Sequence, residues 1–275
     1  MNVTKLILYL EAQADCAYPD MHHRKLHGAI LNRIPDPIIE RSKQREVSTL
    51  GVSFTELVPW GDVTAGETRE LVVNTVNPEV VGHIAQSVSS DPTFDIGEMQ
   101  FTVQGIDQST VDVGEVGTRG TLESDTGVLV SIPNDRVAEF GITNPGDEVY
   151  YWSEDDPEEV FTRRIGENLA GKWRAFADRS STDSGTETMG VPEAIHGPLF
   201  TRKTLQKTYS IPLRVSSDHT QRIVLSKWEF EYEVRNQAHR ELLNLALGAG
   251  IGERNSFGLG TLSLTSKQEP FLTGA

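Results

Sequence analysis

Residues 248–264 read GAGIGERNSFGLGTLSL, with Gly250, Gly252, Gly258 and Gly260 bracketing the polar insert ERNS in the spacing G-x-G-x5-G-x-G. The segment leaves a helical pattern and enters a strand pattern. A dinucleotide fingerprint runs the other way, from strand into helix. A P-loop needs Lys followed by Ser or Thr after its last glycine, and here Leu259 follows Gly258. One glycine is enough to cap a helix, so four call for a further reason. Glycine lets a backbone approach a phosphate and aim N–H groups at it. Arg254 and Asn255 add a cation and a polar contact to such a loop.

The elements before this loop fall into two similar sets. The first third reads strand (3–10), helix (19–34, with Pro19 early), strands (51–58 and 69–75), helix (77–90) and mixed strand signals (93–106). A hairpin-like stretch follows at 118–133 with its turn at Asp125–Gly127. Turn-formers at 141–148 mark a domain boundary. Beyond it come a short strand near Tyr150, a long helix (157–177) and a polar loop (178–198). Over 222–234, Val224, Trp228, Phe230, Tyr232 and Val234 alternate with Lys227, Glu229, Glu231 and Glu233. A helix at 237–248 and a strand at 257–265 complete the chain. The expectation is α+β, two tandem ferredoxin-like βαββαβ domains covering 1–140 and 149–275, with the glycine loop at 248–260.

Composition narrows the class. No apolar run approaches a membrane span, and the N-terminus suits a strand better than a signal peptide. The single cysteine, Cys16, excludes an internal disulfide, and no HExxH or His/Cys ligand cluster is visible, so neither metal nor cofactor is expected. A cytoplasmic protein follows. Forty acidic residues face 25 basic ones, a formal charge of -15, with eight lysines against 17 arginines. Taken alone this balance opposes a polyanionic ligand. Dispersed acidity with few lysines instead suits solubility in concentrated salt.

The glycine spacing at the C-terminal end, the early helix HHRKLHGAILNRI with Leu26, Gly28 and Ile30, and the element order over nearly the whole chain together resemble the CRISPR repeat RNA-processing endoribonucleases of the RAMP superfamily. The resemblance implies two ferredoxin-like domains, CRISPR repeat RNA as partner, with other CRISPR effector-complex proteins as further partners. It also implies metal-independent cleavage by a 2′-hydroxyl, leaving a 2′,3′-cyclic phosphate. The alternative is a catalytically weak repeat-RNA-binding subunit. Many relatives carry a histidine shortly after the first helix, and here 38–47, IIERSKQREV, has none. Substitutes lie on a helix stripe of Asp20, Arg24, His27 and Leu31, the last aligned with a functional tyrosine of many relatives. His27 is the candidate acid or base, Arg24 a phosphate ligand, and Lys43, with Arg41 and Arg45, a source of positive charge. His23 reads as a buried structural histidine, while His22, His83, His196, His219 and His239 lack a catalytic context. RNA binding is expected from Gly250, Gly252, Arg254, Asn255, Gly258 and Gly260, and from Arg202, Lys203, Lys207 and Lys227.

Overall fold

A computed structural model describes residues 1–18, 22–43, 50–143, 149–180, 197–214 and 220–270. The first unit opens with β1 (Val3–Ala12), whose inward Leu6, Leu8 and Leu10 are fully buried. Each such side chain contributes about 1.5–3 kcal/mol. It continues through α1 (His22–Leu31), α2 (Asp36–Lys43), β2 (Val52–Phe54), β3 (Thr68–Thr75), α3 (Pro78–Ser90), β4 (Thr93–Ile96) and β5 (Met99–Val111). The strands order β2-β3-β1-β5-β4, all neighbours antiparallel. Removing the edge strand β4 leaves the ferredoxin-like order. Asn77 caps α3 by accepting the Glu79 N–H, and Val80, Val81, Ile84 and Val88 form its buried face.

The second unit contains β6 (Arg119–Ser124), α4 (Glu158–Ser180), β9 (Arg202–Arg214), β10 (Thr220–Glu233), α5 (Gln237–Ala249) and β11 (Leu262–Gln268). Its sheet runs β11-β6-β10-β9, again ferredoxin-like. Between β6 and α4, β7 (Ser131–Ile132) and β8 (Tyr150–Tyr151) form a separate small pair.

This order moves the domain boundary. β6 is a central strand of the second sheet, so the changeover lies between Val111 and Arg119 rather than at 141–148. Of that expected boundary, 144–148 lie outside the described residues. The hairpin read at 118–133 is corrected for the same reason. After the Asp125–Gly127 turn the chain does not pair back on β6: Val128 bridges Ser226, and Ser131–Ile132 pair with β8. β6 finds its partners in β10 and β11, more than a hundred residues away.

The units meet through buried side chains. Ser53 Oγ donates to Gly248 O at 3.2 Å, Asn74 Nδ2 to Leu262 O at 3.1 Å, and Thr261 Oγ1 to Phe54 O at 2.6 Å. The segment linking α5 to β11, which carries the four glycines, is therefore part of the seam. No helix among the described residues is long and apolar enough to cross a membrane.

Candidate functional site

Five backbone N–H groups of the glycine segment are held within the protein. The N–H groups of Ile251, Glu253, Phe257, Gly258 and Gly260 donate to Gly260 O, Leu129 O, Arg254 O, Asn255 O and Gly127 O, all at 2.9 Å. All four glycines are buried. At Gly258 (φ +77°) a Cβ would stand 2.6 Å from the Phe54 ring, and at Gly260 (φ +67°) it would collide with Ile251 O. Cβ positions at Gly250 and Gly252 are likewise taken by protein atoms. These glycines let three stretches of chain close on each other, a structural reason for the spacing beside the expected approach to a phosphate.

Asn255 is also a structural group. Buried, it donates from Nδ2 to Ile251 O and Leu259 O, both at 2.8 Å, and accepts from Lys172 Nζ at 2.5 Å. Lys172 reaches in from α4 and also donates to Gly250 O (2.7 Å) and Gly252 O (3.2 Å). Burial lowers its pKa to about 7. Arg254 sits in the left-handed region at φ +55° and lines a cavity of about 230 Å³ with Asn168, Lys172 and Ser256.

α1 packs on the same loop. His27 Nδ1 hydrogen-bonds Ser256 O, and its imidazole stacks on Phe257 at 4.4 Å and 6°. Against that carbonyl the Nδ1 is the protonated nitrogen. Arg24 is exposed one turn away. Lys43 ends α2, and its side chain, like those of Arg41 and Arg45, lies outside the described residues, as do Pro19, Asp20, His196 and His219.

A larger cleft, about 650 Å³, opens between α1 with the β2–β3 connection on one side and β9–β10 on the other. His22 Nε2 lies 3.2 Å from Glu56 Oε1, and His23 Nε2 3.5 Å from the same oxygen. Burial pushes the Glu56 carboxyl up, but the His22 hydrogen bond and the charges of His22, His23 and Lys227 outweigh it, leaving the pKa below its ordinary value. Burial, aided by His22, lowers His23 to about 4, so it is neutral near pH 7 although Glu56 opposes the shift. His23 is buried as the sequence suggested. His22, for which no context was visible, is the half-buried histidine facing the cleft.

The opposite wall carries Lys207 and Lys227, directly paired across β9 and β10. A bulge at this point decides which lysines face the cleft. Before it, Lys203 pairs with Phe230 on the helix-covered face and ion-pairs with Glu158 at 3.0 Å. Arg202 pairs with Glu231, 3.3 Å away. The expected strip 202–207 thus divides, and only Lys207 reaches the cleft, beside Lys227. At the start of β10 the other face is covered, so Ile223 and Leu225, packed with Leu129, Leu213 and Leu259, are buried and Val224, expected on the buried face, is not.

His22, His23 and Glu56 place three ligand atoms within 4.8 Å of one another, a set suited to a divalent transition metal. No such cluster is visible in the sequence, because Glu56 is 34 residues from His22.

The comparisons with known proteins agree with this architecture. Residues 139–264 match the family described as CRISPR associated protein Cas6, C-terminal. A protein of Haloferax mediterranei named CRISPR-associated endoribonuclease Cas6 is 36% identical over 266 residues, covering 97% of this chain and 95% of its own length. A solved structure named CRISPR associated protein Cas6 superposes with a TM-score of 0.66 at 16% identity, covering 96% of this chain and 100% of that one. A Cas6-related protein from Pyrococcus furiosus gives 0.64 at 17% identity, covering 97% and 99%. A third, described as a RAMP protein binding different RNA substrates, gives 0.63 at 18%, covering 96% and 100%. At these identities the structural likeness is one of fold.

Proposed function

This chain belongs to the Cas6 family, and we propose that it binds CRISPR repeat transcripts across the cleft between its two units and cuts them there without a metal, as an endoribonuclease. The observation that carries the reading is the meeting, in one cleft, of a His22–Glu56 pair from the first unit with Lys207 and Lys227 from the second. Cleavage by a neighbouring 2′-hydroxyl needs a base, a proton for the leaving oxygen and positive charge at phosphorus. Glu56 accepts from His22 Nε2–H, which leaves Nδ1 as the basic nitrogen. Nδ1 takes the 2′ proton as the O2′–P bond forms. Lys227 and Lys207 neutralise the phosphorane, and the Lys207 ammonium protonates the departing 5′ oxygen as the P–O5′ bond breaks. The products are a 2′,3′-cyclic phosphate and a 5′-hydroxyl. Transcripts are made in the cytoplasm, and we place the protein there.

A second assignment of the proton-transfer group is favoured by one observation: the carbonyl of Ser256 fixes the tautomer of His27 beside the loop bearing Arg254. In it Arg24 and Lys43 supply charge. Cleavage of a matched repeat RNA in EDTA and molar KCl separates the two. His22→Ala is expected to lower the rate roughly a hundredfold or more with little change in affinity. His27→Ala should alter it far less. The reverse result moves catalysis to His27, and no cleavage by the unaltered protein leaves an RNA-binding protein only.

A further inference from the structure

We propose that Trp60 is a stacking platform for one unpaired base of the bound RNA, holding the strand so that the next phosphate enters the cleft. The inference rests on the reading that RNA occupies this cleft. Trp60 is 66% exposed, more than any other large apolar side chain among the described residues. Trp152 and Trp228 are buried at 3% and 1%.

Isolated exposed apolar residues are ordinary on protein surfaces, but this one is held in place. Val58 pairs with Glu70 through N–H to O bonds of 2.9 and 2.7 Å, and Val63 with Cys16 through bonds of 2.9 and 3.0 Å. Between these ties, the buried Arg69 donates to Asp62 O at 2.8 Å, and Asp62 Oδ1 accepts the Tyr18 N–H at 2.8 Å. A rigid aromatic loses little conformational entropy on binding.

Trp60 also begins a series of rings leading inward. Its centroid is 5.2 Å from Tyr18, Tyr18 is 4.9 Å from His22, and His22 is 4.1 Å from His23. The series ends at Glu56, with Lys207 and Lys227 on the facing wall. An apolar ring at the mouth with cations opposite is complementary to a nucleotide, whose base is a flat π-surface and whose phosphate is an anion. A protein partner would meet the same lysines and carboxylate with no such match. Every base offers a stacking face, so the contact fixes position along the strand rather than sequence.

The test uses the full chain and a repeat RNA made uncleavable by a 2′-deoxy residue at the scissile nucleotide. RNA should quench tryptophan fluorescence, and Trp60→Ala should remove most of the quench. Trp60→Ala should weaken binding by roughly 5- to 150-fold, the range for one stacked base, while Trp60→Phe retains most of the affinity. An abasic nucleotide walked along the RNA should abolish the difference between the unaltered protein and Trp60→Ala at one position only. Affinity unchanged in a folded Trp60→Ala protein, or a difference that no abasic position removes, overturns the proposal. If the quench and the abasic pattern appear but the unaltered protein cuts no RNA, the platform stands and the cleavage reading falls. If RNA is cut and Trp60→Ala both binds and cuts normally, the platform alone falls.

Discussion

Lys172→Met tests whether the glycine loop is an internally held structure. The substitution keeps the length of the side chain and removes its donors from Gly250 O, Gly252 O and Asn255 Oδ1. The charge must be treated separately, because methionine also relieves the burial of an ammonium. Burial lowers the pKa of Lys172 to about 7 from the ordinary lysine value of 10.5. In that window the unfolded chain binds more protons than the folded one, so stability should rise with pH from about 7 to about 10.5. Below about 7 the full cost of the buried charge is present. Lys172→Met should abolish this rise.

At about pH 11, above both values, the lysine is mostly a neutral amine with two donors in the folded and the unfolded chain alike, so the burial of charge no longer enters the comparison. The variant then loses two hydrogen bonds to buried acceptors, each worth about 1–1.5 kcal/mol where water from the adjoining cavity offers partial replacement. The expected loss is about 2–3 kcal/mol, read from urea unfolding in molar KCl. Lys172→Arg should not restore it, since a planar guanidinium cannot aim its donors as one nitrogen does. An unfolding midpoint equal to that of the unaltered protein at this pH, with the same pH slope, would refute the reasoning.

Gly260→Ala should destabilise the protein by more than about 2 kcal/mol, because it adds left-handed strain to a collision with Ile251 O; a folded variant with unaltered melting would show that the loop relaxes freely. Micromolar zinc should slow RNA cleavage by occupying His22, His23 and Glu56, with EDTA restoring the rate; a rate indifferent to zinc would show that the three groups do not converge on an ion. The formal charge of -15 implies greater thermal stability in molar KCl than in dilute buffer, since screening relieves self-repulsion; equal melting temperatures across that range would remove salt adaptation as the cause of the acidic surface.

The parts of the fold legible in the sequence are those written at short range. The alternation of Trp228, Phe230 and Tyr232 with charged residues marks one face of β10, and the elements occur in the order a ferredoxin-like unit needs. Long-range pairing is what local pattern misses. Asp125–Gly127 has the composition of a hairpin turn, yet β6 is claimed by β10 and β11, which offer a buried central position. The bulge opposite Lys227 leaves no local signature, and it alone separates the direction of Lys203 from that of Lys207. Likewise the G-x-G-x5-G-x-G spacing is visible, but the buried lysine that fastens it comes from α4, 78 residues before Gly250. The His22–Glu56 pair is invisible for the same reason, whereas His23 was legible from its place among apolar neighbours.

The acidic surface and an anionic ligand are reconciled by how the cations are spent. Arg136, Arg163 and Arg164 are tied to Glu139 and Glu167, Arg240 to Asp112 and Glu115, and Arg119 to Glu233. These pairs lower the free positive charge of the surface still further. Among the described residues, Lys207 and Lys227 form no ion pair with a carboxylate: one lies against the Tyr209 ring, and the other donates to Asp125 O at 2.8 Å. Where eight of the described arginines are ion-paired in place, two lysines side by side without a carboxylate partner make a local positive site within a negative field. Such a site works at short range through contact, desolvation and stacking, which high salt screens much less than it screens long-range steering. In concentrated salt little long-range attraction is available, so net charge is a poor guide to the ligand. The local pairing of side chains at the cleft is the better one.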